Sequence, residues 1–257
     1  MLPPPPARPD PDRVPTEREL REDLAAAYRL RALFGMTDLV FTHLSVRIPG
    51  EGHRFLVNPY GLLFEEITAS SLVVVDADGA PRHATSWPVN PAGFVIHSAI
   101  HMGRDDALCV MHTHTLAGMA VAAQQAQGAH LLLPLNQMMM EFDGRVAIHD
   151  HEGVAADDNL SERARLVRDL GEAPCMILRH HGLLTVGRTV VEAFYWMWYL
   201  EQSCRIQLAA QSSGAPLAIP PPSVVARARA QFSTGPTKGW LPWQALRRKL
   251  DREQPGY

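Results

Sequence analysis

The sequence predicts one α/β domain in which helices flank a mixed, mostly antiparallel sheet. Two observations carry that class. Segments with apolar residues three and four apart alternate with short Val-, Ile- and Leu-rich runs bounded by Gly, Pro, Asn and Asp. No internal repeat and no break in composition interrupts the alternation, so the elements share a core. A chain of 257 residues, 46% hydrophobic and 20% charged, can bury such a core. The net charge of −3 gives no bias toward nucleic acid or an anionic membrane. No charged-then-apolar leader opens the chain and no apolar run is long enough to span a bilayer, so a cytoplasmic protein is expected. Cys109, Cys175 and Cys204 lie far apart in apolar surroundings and read as reduced, buried core residues.

Taken in order, residues 1–15 are proline-rich, which removes backbone donors and predicts a disordered tail. Thr16 with Glu19 is a capping-box pattern opening a helix whose apolar face carries Leu20, Leu24, Ala27, Tyr28 and Leu30-Arg31, and Gly35 ends it. The rhythm from Val40 to Ile48 is that of a strand, and Pro49–Gly52 turns it into a return strand, Arg54–Val57. Leu72–Asp76 is a third strand. Pro91 to about Gly103 reads as a helix, with proline in its first turn. Ala107–Met111 is a buried strand, Leu116–Gln127 an alanine-rich helix, and Gly144–Ile148 a short strand. A helix over Asn159–Leu170 precedes two more strands, Cys175–Arg179 and Leu183–Gly187. Thr189 to about Gln211 is a long helix carrying Phe194, Tyr195, Trp196, Trp198 and Tyr199, an aromatic content that suits core or subunit contact. The domain is expected to span 16–212. A linker and helical extension follow over 213–257, a last basic helix preceding Trp240–Gln244.

The chemistry concentrates in Val110-Met111-His112-Thr113-His114-Thr115. On a strand, side chains two apart share a face, so His112 and His114 point the same way and can grip one metal ion. A catalytic zinc usually takes three protein ligands and keeps a position open. The third candidate lies in Arg179-His180-His181-Gly182. Without a nearby thiolate the site is all-imidazole, which suits zinc and also manganese, iron or cobalt. His97 and His101, four apart on a helix, are expected to be structural. Candidate proton carriers are His43, Tyr60, His149 and His151.

At these residues the chain resembles the class II aldolase/adducin family. The matched segments are Phe41-Thr42-His43-Leu44-Ser45-Val46-Arg47, Asn90 through Ile100, the His112/His114 pair, and His181-Gly182-Leu183 followed by Gly187. The resemblance implies a three-layer class II aldolase-like fold, His181 rather than His180 as third ligand, and a ring of four copies with sites between subunits. It also implies a zinc-dependent lyase acting by retro-aldol cleavage or decarboxylation through a metal-stabilised enolate. Two positions depart from the sugar-phosphate aldolases. Gly93 stands where they carry a catalytic glutamate. Thr42-His43 and Pro91-Ala92 stand where they hold phosphate with Gly-Asn and paired serines. A small non-phosphorylated hydroxy-oxo or hydroxy-carboxylic substrate is therefore expected. Asn90 and Gly93 are the candidate substrate contacts, and His43 is the first choice of base. The alternative reading is a non-catalytic, adducin-head-like assembly module.

Overall fold

The computed structural model describes residues 10, 12–50, 52–126, 130–153, 160–232, 235 and 237–257; side chains 91–94 and 160–161 lie outside that description. Most of the tail expected to be disordered, residues 1–9, lies outside it as well.

Helix α1 (Glu17–Leu33) starts where Thr16 accepts a hydrogen bond from the Glu19 N–H and Glu19 accepts one from the Thr16 N–H, the capping box read from the sequence. Its buried face carries Leu20, Leu24, Ala27, Tyr28 and also Arg31, a cation within an apolar stripe. The sheet has seven strands: β1 (Leu44–Ile48), β2 (Arg54–Val57), β3 (Val73–Val75), β4 (Cys109–Thr113), β5 (Val146–His149), β6 (Cys175–Leu178) and β7 (Gly182–Gly187). Their order is β3-β2-β1-β4-β7-β6-β5. Neighbours are antiparallel except β5 and β6, so the sheet is mixed and mostly antiparallel, as predicted.

Residues alternate between the two faces of this sheet. Cys109 and Met111 of β4 join one apolar cluster with α1 and the long helix α6 (Val190–Ser212). Val110 joins another with α2 (Pro91–Gly103) and α5 (Leu160–Leu170). That gives helix, sheet, helix. The remaining helices are α3 (Leu116–Ala122), α4 (Gln137–Met140), α7 (Pro222–Gln231) and α8 (Trp240–Glu253). No helix of the described residues is long and apolar enough to cross a membrane. The three cysteines are free and buried.

Three differences from the sequence reading have physical causes. The first strand begins at Leu44 rather than Val40, because Leu39 and Thr42 take left-handed backbone with φ of 49° and 64°. Trp240–Gln244 opens α8 rather than following the last helix: Pro242 lies in the first turn, where backbone N–H groups lack an intrahelical acceptor anyway. The short α4 was not anticipated; Asn136 starts it by accepting from the Met139 N–H at 3.0 Å.

The strand register is what assembles the histidines. β4 is the central strand, with β1 on one side and β7 on the other. Leu44 pairs with Met111, so His43, just before β1, comes opposite His112, whose N–H donates to the His43 carbonyl at 3.2 Å. Thr113 pairs with Leu183, which brings the turn before β7 beside the residues that follow β4. Gly182 is required there. A side chain on it would run into the Thr113 carbonyl and approach the His114 ring.

Candidate metal centre

His112 is the next-to-last residue of β4, His114 lies one residue past the strand, and His181 sits in the turn between β6 and β7. One ring nitrogen of each lies within 4.8 Å of the others. The hydrogen bonds fix which nitrogens carry protons. His112 Nδ1 is 2.9 Å from the Leu183 carbonyl, which can only accept, so Nδ1–H is the donor. His114 Nδ1 is 2.9 Å from Asp38 Oδ2 and donates likewise. Both Nε2 atoms therefore present lone pairs, and they stand 2.8 Å apart. Protonation is a poor remedy for that closeness. Burial first, then the charges of His181, His114 and His43, hold His112 well below the usual imidazole range. Burial first, then His114, His151 and His43, bring His181 down to about 4. A cation accepting all three lone pairs removes the conflict, so the donor set fits a divalent metal.

Buried groups stiffen the support. The Arg31 guanidinium is fully buried, lies 5.4 Å from the Phe64 ring centre and donates through Nη2 to the His112 carbonyl at 2.9 Å. Burial lowers its pKa to about 9. The Thr115 hydroxyl donates to the buried Glu201 carboxylate at 2.5 Å, fixing the chain directly after His114.

Of the residues singled out from sequence, the structure brings His43 to this centre. It is buried, its ring centre 6.3 Å from that of His112 and 4.0 Å from that of His97. His180 is exposed and does not belong to the cluster; its φ of 57° places it in a turn. His149 is buried at the end of β5, with Nδ1–H donating to Asp169 at 2.8 Å and Nε2 facing Glu162 at 3.7 Å and Glu152 at 3.9 Å. It lines a small cavity together with His151 and His181. The exposed His151 ring is 6.0 Å from that of His181. The half-buried Tyr60 faces Phe41, ring centres 6.4 Å apart, rather than the triad. Asn90 is half-buried just before α2, and Gly93 lies in the first turn of α2, its surroundings outside the described residues. His97 and His101 bond to Ser45 and Ala107 instead of joining the triad.

Two supporting residues escaped the sequence reading. Asp38 carried no signal, being a lone acid in a loop. Arg31 did carry one: a charge where α1 should have been apolar.

Comparison with known proteins agrees with this architecture. Residues 22–208 match the family model described as Class II Aldolase and Adducin N-terminal domain. The crystal structure of an aldolase II superfamily protein from Pseudomonas syringae is 50% identical, with a TM-score of 0.87 over 95% of this chain and 96% of that one. The L-fuculose 1-phosphate aldolase from Glaciozyma antarctica PI12 is 29% identical, with a TM-score of 0.81 over 93% of this chain and 90% of that one. Alpha-adducin of Rattus norvegicus is 43% identical over 204 residues, 78% of this chain but 27% of the adducin. The family match, the identity and the coverage lead to one conclusion: the chain belongs to the class II aldolase and adducin family.

Proposed function

We propose that the protein is a divalent-metal-dependent lyase that breaks a carbon–carbon bond in a small, non-phosphorylated hydroxy-oxo or hydroxy-carboxylic compound, by retro-aldol cleavage or decarboxylation. Class II aldolases use a divalent metal, and the histidine triad here can hold one. The observation that carries the reading is the pair of Nε2 lone pairs 2.8 Å apart, each ring's other nitrogen already committed as a donor. Zinc is the first expectation for the metal.

A bound cation would supply Lewis acidity for the negative charge that grows on a substrate oxygen as the bond breaks. The chain's own groups do the rest. His112, His114 and His181 hold the cation, while the Leu183 carbonyl and Asp38 keep two of the rings in the right tautomer. With glycine at 93 in place of the aldolase glutamate, proton transfer falls to His43, which is buried with its ring centre 6.3 Å from that of His112, whereas His151, 6.0 Å from His181, is exposed. An imidazole is suited to it near neutral pH. Asn90 and Gly93 are assigned to substrate contact, with Tyr60 and His149 as more distant candidates. Thr42, Pro91 and Ala92 offer neither the amide nor the paired hydroxyls that hold phosphate in sugar-phosphate aldolases, which supports a non-phosphorylated substrate. A homo-oligomer, expected to be a tetramer, is supported by apolar side chains standing out next to the centre: Leu39 is 69% exposed and Leu116 83%.

The deciding experiment is elemental analysis of untagged wild type and His112→Ala, followed by a panel of hydroxy-oxo and hydroxy-carboxylic acids with the metal-loaded protein. About one metal per chain, lost in the variant, with one compound consumed, supports the lyase. His43→Ala should then lower turnover by roughly 10²–10⁴-fold with metal content unchanged; unchanged turnover removes His43 from the mechanism. The second reading, a non-catalytic adducin-head-like module, is favoured by Gly93 and by the adducin similarity. It gains if neither protein takes up metal even when incubated with zinc.

A further inference from the structure

Among the described residues, the non-glycines with left-handed backbone are Leu39, Thr42 and His180, with φ of 49°, 64° and 57°. Such a residue is strained and persists only where its surroundings impose it. All three adjoin groups of the metal centre: Leu39 follows Asp38, Thr42 precedes His43, and His180 precedes His181. Two of them fall in one short loop between α1 and β1. Its backbone is closed by the Phe41 N–H donating to the Asp38 carbonyl at 2.8 Å. Apolar burial does not hold its crest, for Leu39 is 69% exposed and Phe41 44%. At that crest the Asp38 carboxylate reaches across 76 residues of sequence to His114 Nδ1 at 2.9 Å.

We propose that Asp38 is a positioning residue that couples the metal centre to the loop from Met36 to His43. A divalent cation on the far nitrogen of His114 withdraws electron density from the ring. Its Nδ1–H then becomes a stronger donor, and the bond to Asp38 tightens. Metal uptake thereby clamps the loop whose last residue is His43. By linkage, holding the loop raises metal affinity by the same factor. Asp38 touches neither substrate nor metal; it acts through His114 and through its own loop. This inference rests on the reading of the triad as a metal centre.

Zinc alone is the probe. Its affinity is measured by competition with a chromophoric chelator for wild type, Asp38→Asn and Asp38→Ala. Amide hydrogen exchange is followed in peptides covering 36–43, with and without zinc. In wild type, zinc slows exchange in that loop. Asp38→Ala weakens zinc binding about 10–100-fold, the usual cost of losing such an outer partner, and zinc no longer protects the loop. Asp38→Asn keeps an acceptor oxygen without the charge and falls between the two. Wild-type zinc binding with an Asp38→Ala affinity left unchanged, or loop protection that persists in that variant, overturns the coupling and leaves the metal centre standing. Wild type that takes up no zinc overturns both.

Discussion

Two groups of histidines lie within one fold, and their protons are arranged in opposite ways. In the pair on α2, His101 Nδ1–H donates to the Ala107 carbonyl at 2.7 Å, which leaves Nε2 as an acceptor. The Ser45 hydroxyl donates to that Nε2 at 2.7 Å, so its oxygen accepts from His97 Nδ1–H, also at 2.7 Å. Donors and acceptors follow one another in a row. In the triad, the donors are spent outward on Leu183 and Asp38, and the lone pairs converge on one point. Each group has buried members, and burial drives the pKa of His97 well below the usual range and that of His101 to about 3, as it lowers that of His112. Burial therefore does not separate a metal site from a structural pair. The direction in which lone pairs face does.

The largest effect that tests this contrast is on metal content. His112→Ala should abolish metal uptake, while His97→Ala should leave it in place, because the His97 lone pair does not belong to the converging set. Elemental analysis of the two variants decides it. Loss of metal from both would mean that the two groups act as one site, a real prospect given that His43 sits between them, 4.0 Å from His97 and 6.3 Å from His112.

Next in size is the cost of removing the link in the structural row. Ser45 is fully buried, and Ser45→Ala takes a donor from His101 and an acceptor from His97 at once. Each buried nitrogen left unsatisfied costs about 1–3 kcal/mol, read as a fall in the urea midpoint. Ser45→Thr keeps the hydroxyl and should recover part of the loss. Zinc affinity should change little in either variant, which distinguishes the row from the triad.

Much of this could be read from residue order, and the rest depended on contacts between distant segments. The His-x-His spacing pointed to two of the candidate ligands because strand geometry is local, and the third, His181, came from the family resemblance. Even so, His114 lies beyond the strand end, where alternation no longer guarantees its direction. The capping box at Thr16, the hairpin at Pro49–Gly52 and the mostly antiparallel sheet were similarly written into short stretches. The role of Ser45 was not, since its meeting with His97 and His101 depends on how β1 packs beneath α2. Asp38 meets His114 only because a loop with left-handed residues folds back, and no periodicity marks that. Trp240–Gln244, expected after the last helix, instead opens α8, with Pro242 in its first turn.

The smallest expected effect is a pH dependence that separates the two groups in the metal-free protein. His101 has a folded pKa of about 3 against an ordinary value of about 6.5. Between those values the unfolded chain binds a proton that the folded chain refuses, so stability is full above about 6.5 and declines as pH falls toward 3. One such group contributes about 1.4 kcal/mol per pH unit within that window. His101→Asn should flatten the slope of unfolding free energy against pH by about that amount, measured by urea titration at several pH values. Zinc should steepen the dependence through the triad, because the metal needs neutral imidazoles. The His101 share should be the same with zinc as without it. If zinc instead erases the His101 contribution, the α2 pair is linked to the metal centre through His97 and His43, and the contrast between a structural row and a binding site no longer holds.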